Sequence, residues 1–198
     1  MTAIRSGIEV FRAPPFHAAE LGLADTPRLQ RFFDANPEYF LTITGEPPTP
    51  QEADAEINGA LPDGWPYTKK WILGFVDEHD ALIGMANVVS DLLAPGVWHV
   101  GLFILATRLH GGDAAAPLYD RMEAWMRAEG AQWLRLGVVR GNVRAERFWE
   151  RRGFVEMRER QVPMGVRKNA VRVMAKPLAG GAMNDYLARI PRDRPDAA

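Results

Sequence analysis

The spacing of apolar residues along the chain predicts strands that alternate with helices, a pattern typical of the α/β (α+β) fold class. Short apolar runs bounded by Gly, Pro, Asn or Asp indicate the strands. The predicted strands are residues 8–11, 71–76, 81–89, 97–105, 133–139, 154–162 and 169–174. A turn over residues 77–80 joins the second and third of them into a predicted hairpin.

Two amphipathic helices follow the later strands. The first carries a stripe of apolar residues at helical spacing, which must pack against a sheet. The stripe consists of Ala115, Leu118, Tyr119, Met122, Trp125 and Met126. Gly130 ends this helix, whereas the second helix starts after the N-cap residue Asn142 and ends at Gly153. Nearer the N-terminus, we predict one helix from Thr26 and a short helix over residues 52–61.

The length of 198 residues fits one domain with a single core. We place this domain at residues 1–177. Residues 178–198 are predicted to be a C-terminal tail, because a Gly-Gly pair and a Pro-, Arg- and Asp-rich end follow the last strand. The first 65 residues contain irregular Pro-rich connections and are expected to form a variable part that faces the substrate.

Composition and charge exclude several classes of function. A formal net charge of −1 and a pI near 6.4 provide no field that would attract nucleic acid or an anionic membrane. The absence of cysteine removes thiolate nucleophiles and sulfur-bound zinc, and the four histidines never lie three or four residues apart. The chain also lacks a run of about 20 apolar residues and the core of a signal peptide. We therefore expect a cytoplasmic protein with no metal and no membrane span.

A glycine-containing loop joins the fourth predicted strand to the first amphipathic helix. Successive backbone N–H groups at the start of a helix point to one spot and carry the positive end of the helix dipole, so they can hold a pyrophosphate. Gly111 and Gly112 would allow a phosphate to approach the backbone closely. The alternative is an ordinary glycine turn in which Asp113 is the N-cap of the helix.

Residues 142–154 match the pattern N-x-x-A-x-x-F-[YW]-x-x-x-G-F at every fixed position. This segment resembles the GCN5-related N-acetyltransferase (GNAT) family. Residues 105–115 match the phosphate loop of the family in spacing and partly in residue type, with His110 where the family has Arg or Gln and Asp113 where it has glycine. The first 65 residues resemble the family in topology alone.

The resemblance implies a GNAT fold, in which a mixed, mostly antiparallel twisted sheet of about six or seven strands carries helices on both faces. It also implies acetyl-CoA as co-substrate, with pantetheine between two diverging strands and the pyrophosphate at the loop. The residues that the resemblance assigns to cofactor binding are Phe103, Ile104, Leu105, His110, Gly111, Gly112, Asp113, Ala114, Ala115, Asn142, Ala145, Phe148 and Trp149.

The implied reaction is direct transfer of the acetyl group to an amine in a ternary complex, since a chain without cysteine has no thiol to carry an acyl-enzyme. Many family members have a Tyr at the position of Trp149, where its hydroxyl protonates the leaving thiolate, and indole cannot do this. His99 is the predicted general base because its ordinary pKa suits the task. Glu38, Tyr39 and Asn87 are weaker candidates for holding the substrate.

Two alternatives come from other classes. A degenerate member of the family could bind acetyl-CoA, or nothing, and act as an interaction module, which the departures at His110, Asp113 and Trp149 allow. A Rossmann-type nucleotide enzyme would need G-x-G-x-x-G after an early strand, and this motif is missing. The acceptor is expected to be an amine of a small molecule or peptide, and a homodimer is possible.

Overall fold

The computed structural model describes residues 7–197, which form one eight-stranded sheet with six α-helices. The strands are β1 (Glu9–Ala13), β2 (Phe16–Glu20), β3 (Lys69–Val76), β4 (Leu82–Ser90), β5 (Val97–Leu105), β6 (Trp133–Val139), β7 (Val155–Met164) and β8 (Arg167–Pro177). The helices are α1 (Thr26–Ala35), α2 (Glu38–Ile43), α3 (Glu52–Asn58), α4 (Ala115–Ala128), α5 (Val143–Arg151) and α6 (Met183–Arg189).

The strand order is β1-β2-β3-β4-β5-β6-β8-β7, and β5 with β6 is the one parallel pair. This confirms the predicted mixed, mostly antiparallel sheet, although the strand count is eight where six or seven were expected. The additional strand is β2, which pairs with β1 on one side and β3 on the other. The turn at Pro14-Pro15 reverses the chain and does not end the sheet. The pattern Phe-His-Ala-Ala-Glu of β2 gave no signal, because alanine has a low preference for strands.

Helices cover both faces of the sheet, as expected. We call the face under α1, α2 and α3 the front face, where the helices bury one apolar cluster against β3, β4 and β5. The back face carries α4 and α5. The predicted stripe of α4 is confirmed there, since four of its six members are buried and Trp125 packs against Trp71 and Trp98 with ring centroids 5.4 and 5.7 Å apart.

The sequence does not predict helix α2. Pro37 is expected to end α1, and no second helix is expected directly after it. In the structure Pro37 is the N-cap of α2, and Phe40 and Ile43 of that helix are buried. The Phe40 ring contacts Phe33 of α1 edge to face at a centroid distance of 5.0 Å. Helix α2 therefore forms part of the front wall of the site described below.

The segment after Pro177 was expected to be a tail, but much of it packs onto the sheet. Leu178, Tyr186 and Ile190 are buried, and the Tyr186 ring lies 5.6 Å from that of Trp133 in β6. The Asp193 side chain is fully buried and forms two hydrogen bonds with Arg135 of β6, from Nε to Oδ2 at 2.7 Å and from Nη2 to Oδ1 at 3.0 Å. This segment belongs to the core of the domain because it supplies the partner of a buried charge.

Candidate active site

The strands β5 and β6 separate halfway along their length. They pair from Val97 to Val100 with Trp133 to Leu136, and beyond these residues each strand pairs only with its outer neighbour. Gly101 of β5 marks the start of the separation, because the register with β4 shifts there and leaves it as an extra residue. Such a bulge bends the strand and exposes unpaired backbone groups. The gap between the two strands is open to a ligand.

A cavity of about 690 Å³ runs through this gap. Its lining joins the loop before α4, the separated strands and the front wall formed by α2. Most of the residues predicted to bind cofactor line it, namely Phe103, Ile104, Leu105, His110, Gly111, Gly112, Ala115, Asn142, Ala145, Phe148 and Trp149. Asp113 and Ala114 do not.

The loop before α4 presents free backbone donors. In the described part of the chain, no acceptor lies within hydrogen-bond reach of the N–H groups of Gly111, Asp113 and Ala114. Gly111 adopts a φ of +77°, which an L-residue rarely takes, and its Cβ position faces open space. These donors stand at the positive end of the 14-residue helix α4. The arrangement suits an anion such as a pyrophosphate.

His110 fixes this loop against α5. Arg144 Nη1 donates to His110 Nδ1 at 2.8 Å, so the other ring nitrogen must carry the proton and donates to the Leu105 carbonyl at 2.9 Å. Burial, together with the neighbouring Arg144 guanidinium, lowers the pKa of His110. A neutral His110 therefore supports the loop where the family has Arg or Gln.

The Asp113 side chain neither caps α4 nor faces the cavity, so only its backbone N–H can contribute to an anion site. The N-cap of α4 is Ala114, with no side chain bonded to the helix start, and the exposed Asp113 side chain lies outside the lining of the cavity. The reason is that α4 begins two residues after Asp113, one position too late for capping by its carboxylate.

Asn142 caps α5 as predicted. Its side-chain oxygen accepts a hydrogen bond from the Ala145 N–H at 3.3 Å, and the residue also lines the cavity. Capping uses one lone pair of the amide oxygen, while the amide N–H₂ group has no partner among the described side chains and backbone. The Asn142 side chain can thus cap the helix and bind a ligand at once.

Trp149 lies in an aromatic cluster at the wall of the cavity. Its ring centroid lies 4.9 Å from that of Phe148, 5.2 Å from Tyr119, 5.3 Å from Phe154 and 5.9 Å from Phe103. Tyr119 does not line the cavity, and burial raises the pKa of its hydroxyl. The surroundings of Trp149 are therefore apolar, and neither aromatic side chain provides an acid for a leaving thiolate.

The structure speaks against His99 as the general base. His99 lines the cavity, but burial and then the Arg135 guanidinium lower the pKa of its ring to about 3. Arg135 Nη1 lies 3.5 Å from His99 Nδ1, and because a guanidinium only donates, Nδ1 is the acceptor and Nε2 carries the proton. His99 is therefore too weak a base to hold a second proton at neutral pH.

We expect His99 to make the protein less stable in mild acid. The folded-state pKa lies below the unfolded value of about 6.5, so the unfolded state binds more protons and the free energy of unfolding falls as the pH drops below about 6.5. The loss should reach up to about 2 kcal/mol at pH 5. Denaturant unfolding of the parent and His99→Gln at pH 7 and pH 5 measures it.

Replacement of the exposed His79 by Gln is the matched control. Between pH 7 and pH 5, its free energy of unfolding should fall by the same amount as that of the parent. In His99→Gln the free energy of unfolding should still fall slightly toward pH 5, because the pKa of His110 is also lowered. If His99→Gln lost as much unfolding free energy between pH 7 and pH 5 as the parent, the His99 ring would be solvated and available as a base.

Glu56 of α3 was missed among the candidate residues. Asn87 Nδ2 donates to Glu56 Oε1 at 2.5 Å, and the Asn87 side chain lies against Gly101, where an added Cβ would stand 3.5 Å from Cγ. Burial raises the pKa of the Glu56 carboxyl despite the hydrogen bond from Asn87 and the charge of Lys70. In the sequence Glu52 and Glu56 form an ordinary charged helix surface, so only the fold brings Glu56 near the bulge.

The other two weak candidates lie in the front wall. Glu38 accepts a hydrogen bond from Thr107 Oγ1 at 2.5 Å, which lowers the pKa of its carboxyl, and Tyr39 has its pKa raised by burial. Both line the cavity, whereas Asn87 reaches it only through Gly101. The front wall thus offers Tyr39 and Glu38 for contact with a second substrate.

Comparison with known proteins identifies the family of this chain. The family model described as "Acetyltransferase (GNAT) family" matches residues 29–154, from α1 to the end of the α5 motif. The chain therefore belongs to the acetyltransferase (GNAT) family and is an N-acetyltransferase by class. A comparison with curated protein sequences finds no match. In the described residues, no helix has the length and apolar character to cross a membrane.

Solved structures confirm the fold. An acetyltransferase from Thermus thermophilus is 19% identical, with a TM-score of 0.63 over 86% of this chain and 100% of that one. Spermidine N-acetyltransferase from Vibrio cholerae, in complex with CoA and spermine, is 17% identical, with a TM-score of 0.62 over 82% and 95%. The ribosomal-protein-S18-alanine N-acetyltransferase from Escherichia coli is 13% identical, with a TM-score of 0.60 over 85% and 97%.

Proposed function

We propose that this enzyme transfers the acetyl group of acetyl-CoA directly to an amine in a ternary complex. The observation that carries the proposal is the single cavity that joins the free amides before α4, the gap between β5 and β6, and the front wall. A donor held at the amides and an acceptor held at the front wall would meet in the gap. Two of the similar structures are named for amine acceptors, spermidine and an alanine.

In this reaction the amine nitrogen attacks the thioester carbon, the C–N bond forms and the C–S bond breaks. Backbone N–H groups of β5 beyond Val100, which β6 leaves unpaired, would bind the oxygen as it becomes an oxyanion. Because Trp149 has no ionisable group, the CoA thiolate leaves without help from that residue. Its ordinary pKa of about 8.5 makes this departure tolerable.

The amine must lose a proton to attack. Arg160 lines the cavity, and its positive charge favours the neutral form of a nearby amine, whereas the charge of Arg135 is balanced by Asp193. We assign the proton itself to Glu56, which lies behind Gly101 outside the lining of the cavity and would be reached through water, because its carboxyl binds the Asn87 side chain at the bulge and burial raises its pKa.

Binding and turnover test the proposal. Acetyl-CoA should raise the thermal midpoint of the protein, since binding to the folded state at 100 times Kd contributes about 2.7 kcal/mol, while NAD and ATP should not. Thiol release with a panel of amines should exceed the rate without amine. No thermal shift at millimolar acetyl-CoA would overturn the proposal, and a shift without turnover on any amine would favour a binding module.

Glu56→Gln separates binding from the proton transfer. The substitution removes the ionisable group and keeps the hydrogen-bonded side chain in place, so the thermal shift with acetyl-CoA should match that of the parent. Thiol release should fall by about 10²-fold or more if Glu56 takes the proton. Equal rates for the two proteins would show that water alone removes it.

A further inference from the structure

A cluster of arginines lies beside the part of the cavity that Trp65, Val162 and Met164 line, which we call its front end. It comprises Arg135 of β6, Arg158 and Arg160 of β7, and Arg192 of the C-terminal segment, and Asp193 is the carboxylate that accompanies them. Arg135 already binds Asp193 through two hydrogen bonds. Among the described residues, no carboxylate forms an ion pair with the remaining three guanidinium groups. The cluster therefore carries an excess of positive charge.

Hydrogen bonds to one backbone carbonyl hold two of these guanidinium groups close to each other. Arg158 Nη1 donates to the Arg192 carbonyl at 2.9 Å, and Arg160 Nη2 donates to the same oxygen. Arg192 stacks over the Trp65 ring, with Cζ 4.1 Å from its centroid. The Nε atoms of Arg158 and Arg160 are buried and have no hydrogen-bond partner in the described part of the chain. Buried donors without an acceptor are costly, so these two Nε atoms add to the cost of the uncompensated positive charge in the cluster.

Arg160 connects this cluster to the cavity. Its side chain lines the front end beside the apolar residues Val162, Met164 and Trp65. Burial, then the charges of Arg192 and Arg158, lower the pKa of Arg160 although the charge of Asp193 raises it, so the positive charges near Arg160 outweigh the negative one. Glu38 is the acidic residue of the described chain that lines the cavity, and its carboxyl is engaged by Thr107.

The position of Arg160 sets the size of the acceptor. Arg160 lies opposite Val171 of β8, and Val171 lies opposite Val139 of β6, so two strand spacings separate Arg160 from the gap. This corresponds to about 10 Å between backbones. Arg160 and the gap lie in the same cavity, so one small molecule can contact both.

We propose that the acceptor is an amine that also carries a carboxylate, of the size of an amino acid, and that Arg160 binds this carboxylate. The proposal rests on the function proposed above and names its substrate class. A planar guanidinium fork matches a carboxylate and gives charge-assisted hydrogen bonds. The apolar residues around Arg160 would contact an apolar side chain. A polyamine would instead place further cations against the arginines.

The first experiment compares amines that differ only in the carboxylate. Leucine, methionine and phenylalanine are tested against their α-amides and against spermidine, with thiol release from acetyl-CoA as the readout. For the parent, kcat/KM should be at least 10-fold higher for one or more of the free amino acids than for the matching amide. Arg160→Gln should bring this ratio close to one by lowering kcat/KM for the free amino acids far more than for the amides.

Controls separate a specific role from a general loss. Arg121→Gln, on the exposed surface of α4, should behave like the parent in every assay. Arg160→Lys keeps the charge without the fork and should retain part of the preference. The thermal midpoint with and without acetyl-CoA shows that each variant is folded and binds the donor.

A binding measurement makes the test independent of turnover. In the presence of CoA, the parent should bind N-acetylleucine at least 10-fold more tightly than N-acetylleucinamide, and Arg160→Gln should lose this difference. Equal affinities in the parent, or a preference for spermidine over every amino acid, would overturn the carboxylate proposal and leave acetyl transfer intact. Absence of turnover on all amines would contradict the proposed function instead.

Discussion

Asp193→Asn should lower the free energy of unfolding by about 3–5 kcal/mol, because it leaves the Arg135 guanidinium buried without a counter-charge. The Arg135 side chain is 5% exposed and that of Asp193 is fully buried, so water cannot replace the lost partner. Tyr186 also donates to Asp193 Oδ2, at 2.6 Å. Urea unfolding at pH 7 measures the loss.

Two further variants show whether the charge pair is the cause. Asp196→Asn changes an exposed carboxylate three residues away and should alter stability by less than about 0.5 kcal/mol. Arg135→Met combined with Asp193→Leu removes both charges and should recover much of the stability lost in Asp193→Asn. A loss below about 1 kcal/mol in Asp193→Asn would show that the C-terminal segment is not held by this pair.

Trp149→Ala should lower stability by about 3–5 kcal/mol and also raise the KM for acetyl-CoA. The indole is nearly buried and contacts four aromatic rings, so its removal leaves a hole that opens directly into the cavity. Trp149→Tyr keeps a ring at the wall and brings a hydroxyl that can protonate a thiolate. We expect Trp149→Tyr to retain or improve turnover, with an upper limit of about 10²–10⁴-fold where proton transfer limits the rate.

Trp125→Ala is the matched control, because Trp125 packs in the back-face core against Trp71 and Trp98 and does not line the cavity. It should lose stability and leave the KM for acetyl-CoA unchanged. Thiol release is measured at a temperature well below the midpoint of each variant. If Trp149→Ala has the KM of Trp125→Ala, Trp149 does not contact the donor.

The amphipathic elements could be predicted closely because their signals are local. The apolar stripe of α4 recurs at helical spacing, and β5 and β6 are bounded by turn residues at the positions that the sequence indicates. The pattern of residues 142–154 indicated the family, and its first residue, Asn142, indicated the cap of α5. Strand β2 and helix α2 lack such signals. The first is rich in alanine and the second follows a proline, so their packing against β3 and α1 decides their structure.

Local sequence signals were therefore enough for the family, the order of elements around the gap and most of the predicted cofactor residues that line the cavity, because short motifs and periodic patterns encode them. The tertiary structure decided the electrostatics. His99 is neutral because the fold buries it and places it beside Arg135, and Glu56 has a raised pKa because α3 buries it against Asn87. The arginine cluster draws on β6, β7 and the C-terminal segment, up to 57 positions apart between Arg135 and Arg192. Charge, burial and pKa depend on neighbours that are distant in the chain, and no local pattern records them.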